Sequence, residues 1–126
     1  MIEVKLDREE IPAGTPVRGT LLLQPESELE LDSVTLEAKW YTSGTGDPNE
    51  NTVVRRSLSP GTIEQGSSFE SSFEMEIPKL APVSYQGDLI NVNWEIRVEC
   101  DTPLGSDFEE LKRTAFVVLP PWEQRD

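Results

Sequence analysis

The stretch PVSYQGDLINVNWEIRVECD, residues 82–101, decides the fold. From Val92 onward it alternates without a fault: Val92, Trp94, Ile96, Val98 and Cys100 share one parity, and Asn93, Glu95, Arg97 and Glu99 share the other. Side chains of an extended strand point to opposite faces in turn, so this segment is a strand with one face on a core and the other toward water.

The same rhythm recurs along the chain. Ile2, Val4 and Leu6 alternate with Glu3 and Lys5; Pro12, Gly14 and Pro16 interrupt; Val17, Gly19, Leu21 and Leu23 resume up to Pro25. Gly19 marks a bulge or a close backbone approach, since glycine otherwise only weakens a strand. Leu29 and Leu31 lead into Val34, Leu36, Ala38 and Trp40, and Thr42–Asn51 (TSGTGDPNEN) reads as a loop. Thr52–Ser59 forms the next strand, turned by Pro60-Gly61. Phe69, Ser71, Phe73, Met75 and Ile77 share a parity up to Pro78, and a final strand lies within Leu111–Leu119. No segment holds a 3.6-residue apolar rhythm. Seven or eight strands with one apolar face each call for two antiparallel sheets packed face to face; periodicity alone leaves a barrel open as the alternative. The length of 126 residues is that of one domain, residues 1–119, with 120–126 (PPWEQRD) a tail or linker.

Composition narrows the function. Eleven basic residues against 24 acidic ones give a net charge of -13, which repels nucleic acid and anionic bilayers. No apolar run approaches the ~18 residues of a membrane span, so no membrane insertion is expected. A single cysteine and no charged-then-apolar leader after Met1 point to a reducing, cytoplasmic setting. Added salt is expected to stabilise the fold by screening neighbours such as Glu70, Glu74 and Glu76; a melting midpoint that falls as sodium chloride rises from low levels would contradict this.

Around the opening stretch the chain resembles the middle of the arrestin amino-terminal domain. The elements are Ile77-Pro78 closing a strand, then Pro82, Ser84, Tyr85 and Gly87 in a Pro-x-Ser-aromatic-x-Gly loop, then Ile90–Cys100, then Asp101 and Pro103. Pro16-Val17-Arg18-Gly19 with Leu21–Leu23 is similar to that family's second strand. The resemblance implies a single immunoglobulin-like sandwich serving as a scaffold for protein contacts, as in arrestins, the retromer arrestin-like subunit and bacterial sporulation-control proteins. Arrestins carry two such domains. Lys5 lacks the second lysine that arrestins use to sense phosphate, and Trp122 is followed by glutamate where a ligase-recruiting Pro-Pro-x-Tyr motif would differ. A minimal, prokaryotic arrestin-like module remains.

Chemistry is sparse. With no histidine, the usual triads cannot be built, and Cys100 sits on the core parity of its strand. Glu70, Glu74 and Glu76, and separately Glu95 and Glu99, share outward faces, which 24 acidic residues make coincidental. Asp47–Asn51 mimics the start of a calcium loop but has Thr52 at the glycine position and Leu58 where a bidentate glutamate belongs. Gly44 and Gly46 lack the Gly-Lys-Ser/Thr of a phosphate loop, and no zinc ligand set exists. The chain is thus read as a non-enzyme without catalytic, metal or cofactor residues. Its partner is another protein, or a second copy, met through sheet edges or through end loops such as Thr42–Asn51 and Pro78–Asp88. The candidate contact residues are Tyr41, Tyr85, Asp88 and Trp122. Trp40 and Trp94 are assigned to the core, packing across the sandwich. Trp122 either docks back on its own domain, the favoured reading, or anchors a partner. The alternative function is a small-ligand module binding carbohydrate or calcium.

Overall fold

The protein is described from a computed structural model covering residues 2–25, 27–44, 46, 48–87, 90–102 and 111–122. Eleven strands and no helix occur among them: β1 (Ile2–Leu6), β2 (Glu10–Pro12), β3 (Pro16–Leu23), β4 (Leu29–Leu31), β5 (Ser33–Gly44), β6 (Glu50–Leu58), β7 (Gly61–Ile63), β8 (Phe69–Glu76), β9 (Tyr85–Gln86), β10 (Ile90–Asp101) and β11 (Leu111–Leu119). Seven of these have five residues or more and match the strands legible from alternation; the other four, of two or three residues, are too short to carry a period.

The strands form an antiparallel β1-β3-β8 sheet, a large β2-β11-β10-β5-β6 sheet with β9 added to β10, and a β4-β7 pair. No ladder joins the first sheet to the second among the described residues, so the fold is a sandwich and not a closed barrel. Val17, Leu21, Leu23 and Met75 of the small sheet enter one core with Leu36, Ala38, Trp94, Ile96, Val98, Phe116 and Val118 of the large one. Burying such side chains gains roughly 1.5–3 kcal/mol each, which is what closes the two layers.

Three local readings are refined. Leu29 and Leu31 do not run on into β5; they form β4, which pairs with β7, while Asp32 donates its amide to the Asp101 carbonyl at 3.0 Å. The loop expected over Thr42–Asn51 is shorter, because β5 continues to Gly44 and β6 begins at Glu50. Its tip is closed by reciprocal bonds: the Thr42 amide donates to the Asn49 carbonyl at 2.8 Å, and the Asn49 amide to Thr42 Oγ1 at 2.8 Å. Trp40 and Trp94 both lie on the core face, as expected, but not equally deep. They are register partners on adjacent strands of one sheet, with Trp94 tilted against Phe116 at 5.8 Å between ring centroids and Trp40 only half-buried.

Gly19 sits in an unbroken register between Leu6 and Phe73, so the glycine serves a close approach and not a bulge. A Cβ there would lie 2.8 Å from Phe73 Cζ and would also strike the Lys5 carbonyl oxygen. Gly19→Val is therefore expected to cost about 1–3 kcal/mol through overpacking. Thermal melts of Gly19→Val, and of Gly19→Val with Phe73→Leu to vacate ring space, check this; a single variant as stable as the parent would refute it.

Candidate functional site

The register brings several loops to one end of the sandwich. Ile90 pairs with Gly44, which sets the start of β10 beside the β5–β6 hairpin tip. The antiparallel β11 ends there too, and its Leu119 carbonyl accepts the Ala13 amide at 2.9 Å while the Gly14 amide reaches the Ile77 carbonyl at 2.9 Å. Ser84 then clasps Val118, donating its amide to the Val118 carbonyl and accepting the Val118 amide on Oγ, both at 2.9 Å. Trp94 Nε1 donates to the Pro82 carbonyl at 2.8 Å, fixing the same loop from the core side.

These contacts give each residue of the Pro-x-Ser-aromatic-x-Gly pattern a place, and account for the residue type at Ser84 and Gly87. Pro82 offers the acceptor for Trp94, Ser84 substitutes for a strand partner, and Tyr85-Gln86 pairs with Asn91-Val92 as β9. A Cβ at Gly87 would lie 2.8 Å from the Ile90 carbonyl oxygen, backbone that cannot yield as the exposed Tyr85 ring can; the Gly87 amide donates to that carbonyl and to Asn91 Oδ1, each at 3.1 Å.

The end so built is apolar and exposed. Leu80 is 96% exposed, Trp122 80%, Tyr85 54% and Ile90 42%. Among the described residues of 12–16, 42–50, 77–90 and 119–122, the charged side chains are Glu50 and Lys79, and Glu50 is paired with Lys39 at 3.5 Å. Seven of the ten prolines also fall in these segments, which leaves the loops with few backbone donors and little conformational freedom to lose on contact. Exposed apolar patches on otherwise charged proteins mark contact surfaces.

Of the residues expected to make contacts, Tyr85 and Trp122 lie at this end. Trp122 is not docked back on the domain, contrary to the favoured reading. Tyr41 is half-buried on the opposite face of the sheet, between its register neighbours Glu50 and Asn93, and does not join them. Asp88 lies outside the described residues. Leu80 was missed. Its signal was available in the Pro-Lys-Leu-Ala-Pro run, where a leucine held between prolines has no strand to bury it.

A second feature went unseen on the outer face of the large sheet. Glu37, Lys39 and Glu95, on the parity expected to face water, are buried. Glu95 Oε2 lies 3.5 Å from Arg97 Nε and 3.3 Å from Arg113 Nε; Glu37 Oε1 lies 3.4 Å from Arg55 Nη2, and its Oε2 accepts from Thr52 Oγ1 at 2.9 Å. Arg55, Glu37, Arg97 and Arg113 form one cross-strand row, so their long side chains roof the layer. Glu95 thus sits between two guanidinium groups, one from its own strand and one from the next.

No family model and no curated protein sequence matches the chain. Among solved structures it is similar to Spo0M, a sporulation control protein from Bacillus subtilis, with a TM-score of 0.74 at 15% identity over 93% of this chain. The match covers 48% of that protein, so the chain spans about half its length. The fold is arrestin-like, as the residues from Ile77 to Pro103 implied.

Proposed function

We propose that the chain is a non-enzymatic adaptor or scaffold module that binds another protein through the apolar end of its sandwich. The observation that carries this reading is the gathering of Leu80, Tyr85, Ile90 and Trp122 in charge-poor, proline-stiffened loops of a chain whose net charge is -13. Large apolar anchors on rigid loops are the usual source of binding energy, and they need no reactive group. A cytoplasmic, prokaryotic setting accords with the single cysteine and with the likeness to a bacterial fold relative.

The test is paired capture with the intact chain and with Leu80→Ser/Trp122→Ser. Both changes are on exposed side chains, so the stability stays within about 1 kcal/mol of the parent. The specific partner retained by the parent, identified by cross-linking through this end, binds the variant more weakly by about 2 kcal/mol or more. Equal retention would remove the end from the mechanism, and sedimentation that depends on protein concentration in the parent alone would make the partner a second copy.

A further inference from the structure

Among the described residues, the outer edge of β11 holds a stretch of backbone that no strand pairs. The Val117 amide donates to the Glu9 carbonyl at 2.8 Å and the Leu119 carbonyl accepts from Ala13, whereas Val118 turns both its groups the other way, to Ser84. Because a strand directs its backbone groups to alternate sides, Leu111, Arg113 and Ala115 aim theirs toward the line of β2. That line holds only Glu10–Pro12, opposite Val117–Leu119. Before it the chain has left for the small sheet, where the Asp7 amide binds the Arg18 carbonyl at 2.9 Å. Along Leu111–Phe116 the ladder to β10 is complete and unbulged, and no described strand pairs on the other side.

Two of the other edges are guarded. β6 carries a register shift opposite Ala38/Lys39, and β8 presents Glu70, Glu74 and Glu76. The β11 edge instead offers exposed Leu111, Ala115 and Val117 on its outer face, with Lys112 and Arg113 the charges of the strand. We propose that this edge accepts an extended segment of another protein as an added strand, one whose acidic side chains alternate with apolar ones. Lys112 lies on the other face from Leu111, Arg113, Ala115 and Val117, and Arg113 is already paired with Glu95. Cross-strand pairing of those acids with Lys112 therefore selects the segment, while its apolar side chains meet Leu111, Ala115 and Val117. A second copy of β11 laid antiparallel about this point would set like charges against each other, so self-pairing is disfavoured. The overall negative charge acts beyond a screening length of roughly 8 Å at physiological salt, and contact pairs are made inside it.

This inference rests on the reading of the chain as an interaction module but uses a different surface, so the two fail separately. The probe is a blocked ten-residue peptide alternating valine and glutamate, compared with its valine–lysine counterpart, and the readout is amide hydrogen exchange. Without peptide, the Arg113 and Ala115 amides exchange fast and Thr114 and Phe116 slowly. The glutamate peptide slows Arg113 and Ala115 by about tenfold or more, and the lysine peptide does not. Lys112→Glu weakens that preference or inverts it. Ala115→Pro, which removes an amide facing away from β10, abolishes the protection, while Leu80→Ser/Trp122→Ser leaves it intact. Should Ala115→Pro fail to fold, the parent's exchange pattern with the two peptides decides alone. The proposal is overturned if Arg113 and Ala115 are already protected in the free chain, if protection grows with protein concentration alone, or if both peptides act equally.

Discussion

Truncating Trp94 to alanine lowers stability by about 3–5 kcal/mol, a fall of roughly 10–20 °C in melting temperature for a domain of this size. The indole is 1% exposed, tilts against Phe116 and stands beside Trp40 in the sheet, so its removal opens a cavity that two neighbouring strands cannot collapse into without breaking register. It also releases the Pro82 carbonyl, one of the ties that holds the Pro78–Ser84 loop on the core. Trp94→Phe separates the two effects. It keeps most of the ring volume and loses only the Nε1–H bond, about 0.5–1.5 kcal/mol. In that variant the Ser84 amide, which donates to Val118, exchanges faster while amides of β5 stay protected. A Trp94→Ala protein whose stability lies within about 1 kcal/mol of the parent's would show that the ring is not a keystone of the core.

The contrast between Trp94 and Trp122 shows what alternation can and cannot reveal. Trp94 lies inside a run whose parity fixes its face, so its burial is legible in the sequence. Its neighbour Trp40 was assigned to the right face, but parity orders residues within a strand and says nothing about which strand lies beside it. Trp122 lies beyond the last period-two residue, where the sequence offers only a choice between docking and exposure. The same limit hid the apolar end. Leu80 and Ile90 belong to segments far apart in sequence from Trp122, and only the Ile90–Gly44 pairing and the Ser84–Val118 clasp gather them. β2, β4, β7 and β9 escaped notice for a different reason: two or three residues cannot display a period, and their pairing is set by what the longer strands leave open.

Glu95 carries the second large effect, and parity misjudged it in an instructive way. The outward parity of β10 was expected to meet water, yet Glu95 is 4% exposed because Arg97 and Arg113 extend over it from its own strand and the next. Glu95→Ala removes the shared anion and leaves Arg97, whose side chain is 19% exposed, with its charge uncompensated in a poorly hydrated layer. The expected loss is about 2–4 kcal/mol, below the top of the range for fully buried pairs because Arg113 is 56% exposed and can turn to solvent. Replacing both partners, Glu95→Met with Arg97→Met, should recover most of that loss, since a well-packed apolar pair avoids the desolvation penalty altogether. Denaturant melts of the two single variants and the double variant make the comparison through a thermodynamic cycle. If the double variant is as unstable as the sum of the singles, the buried charges are not coupled and the row of arginines is a solvated surface after all. If it recovers, the ionic layer is retained at some cost in stability, and the outer face of the large sheet is held as a rigid polar plate behind the open edge of β11.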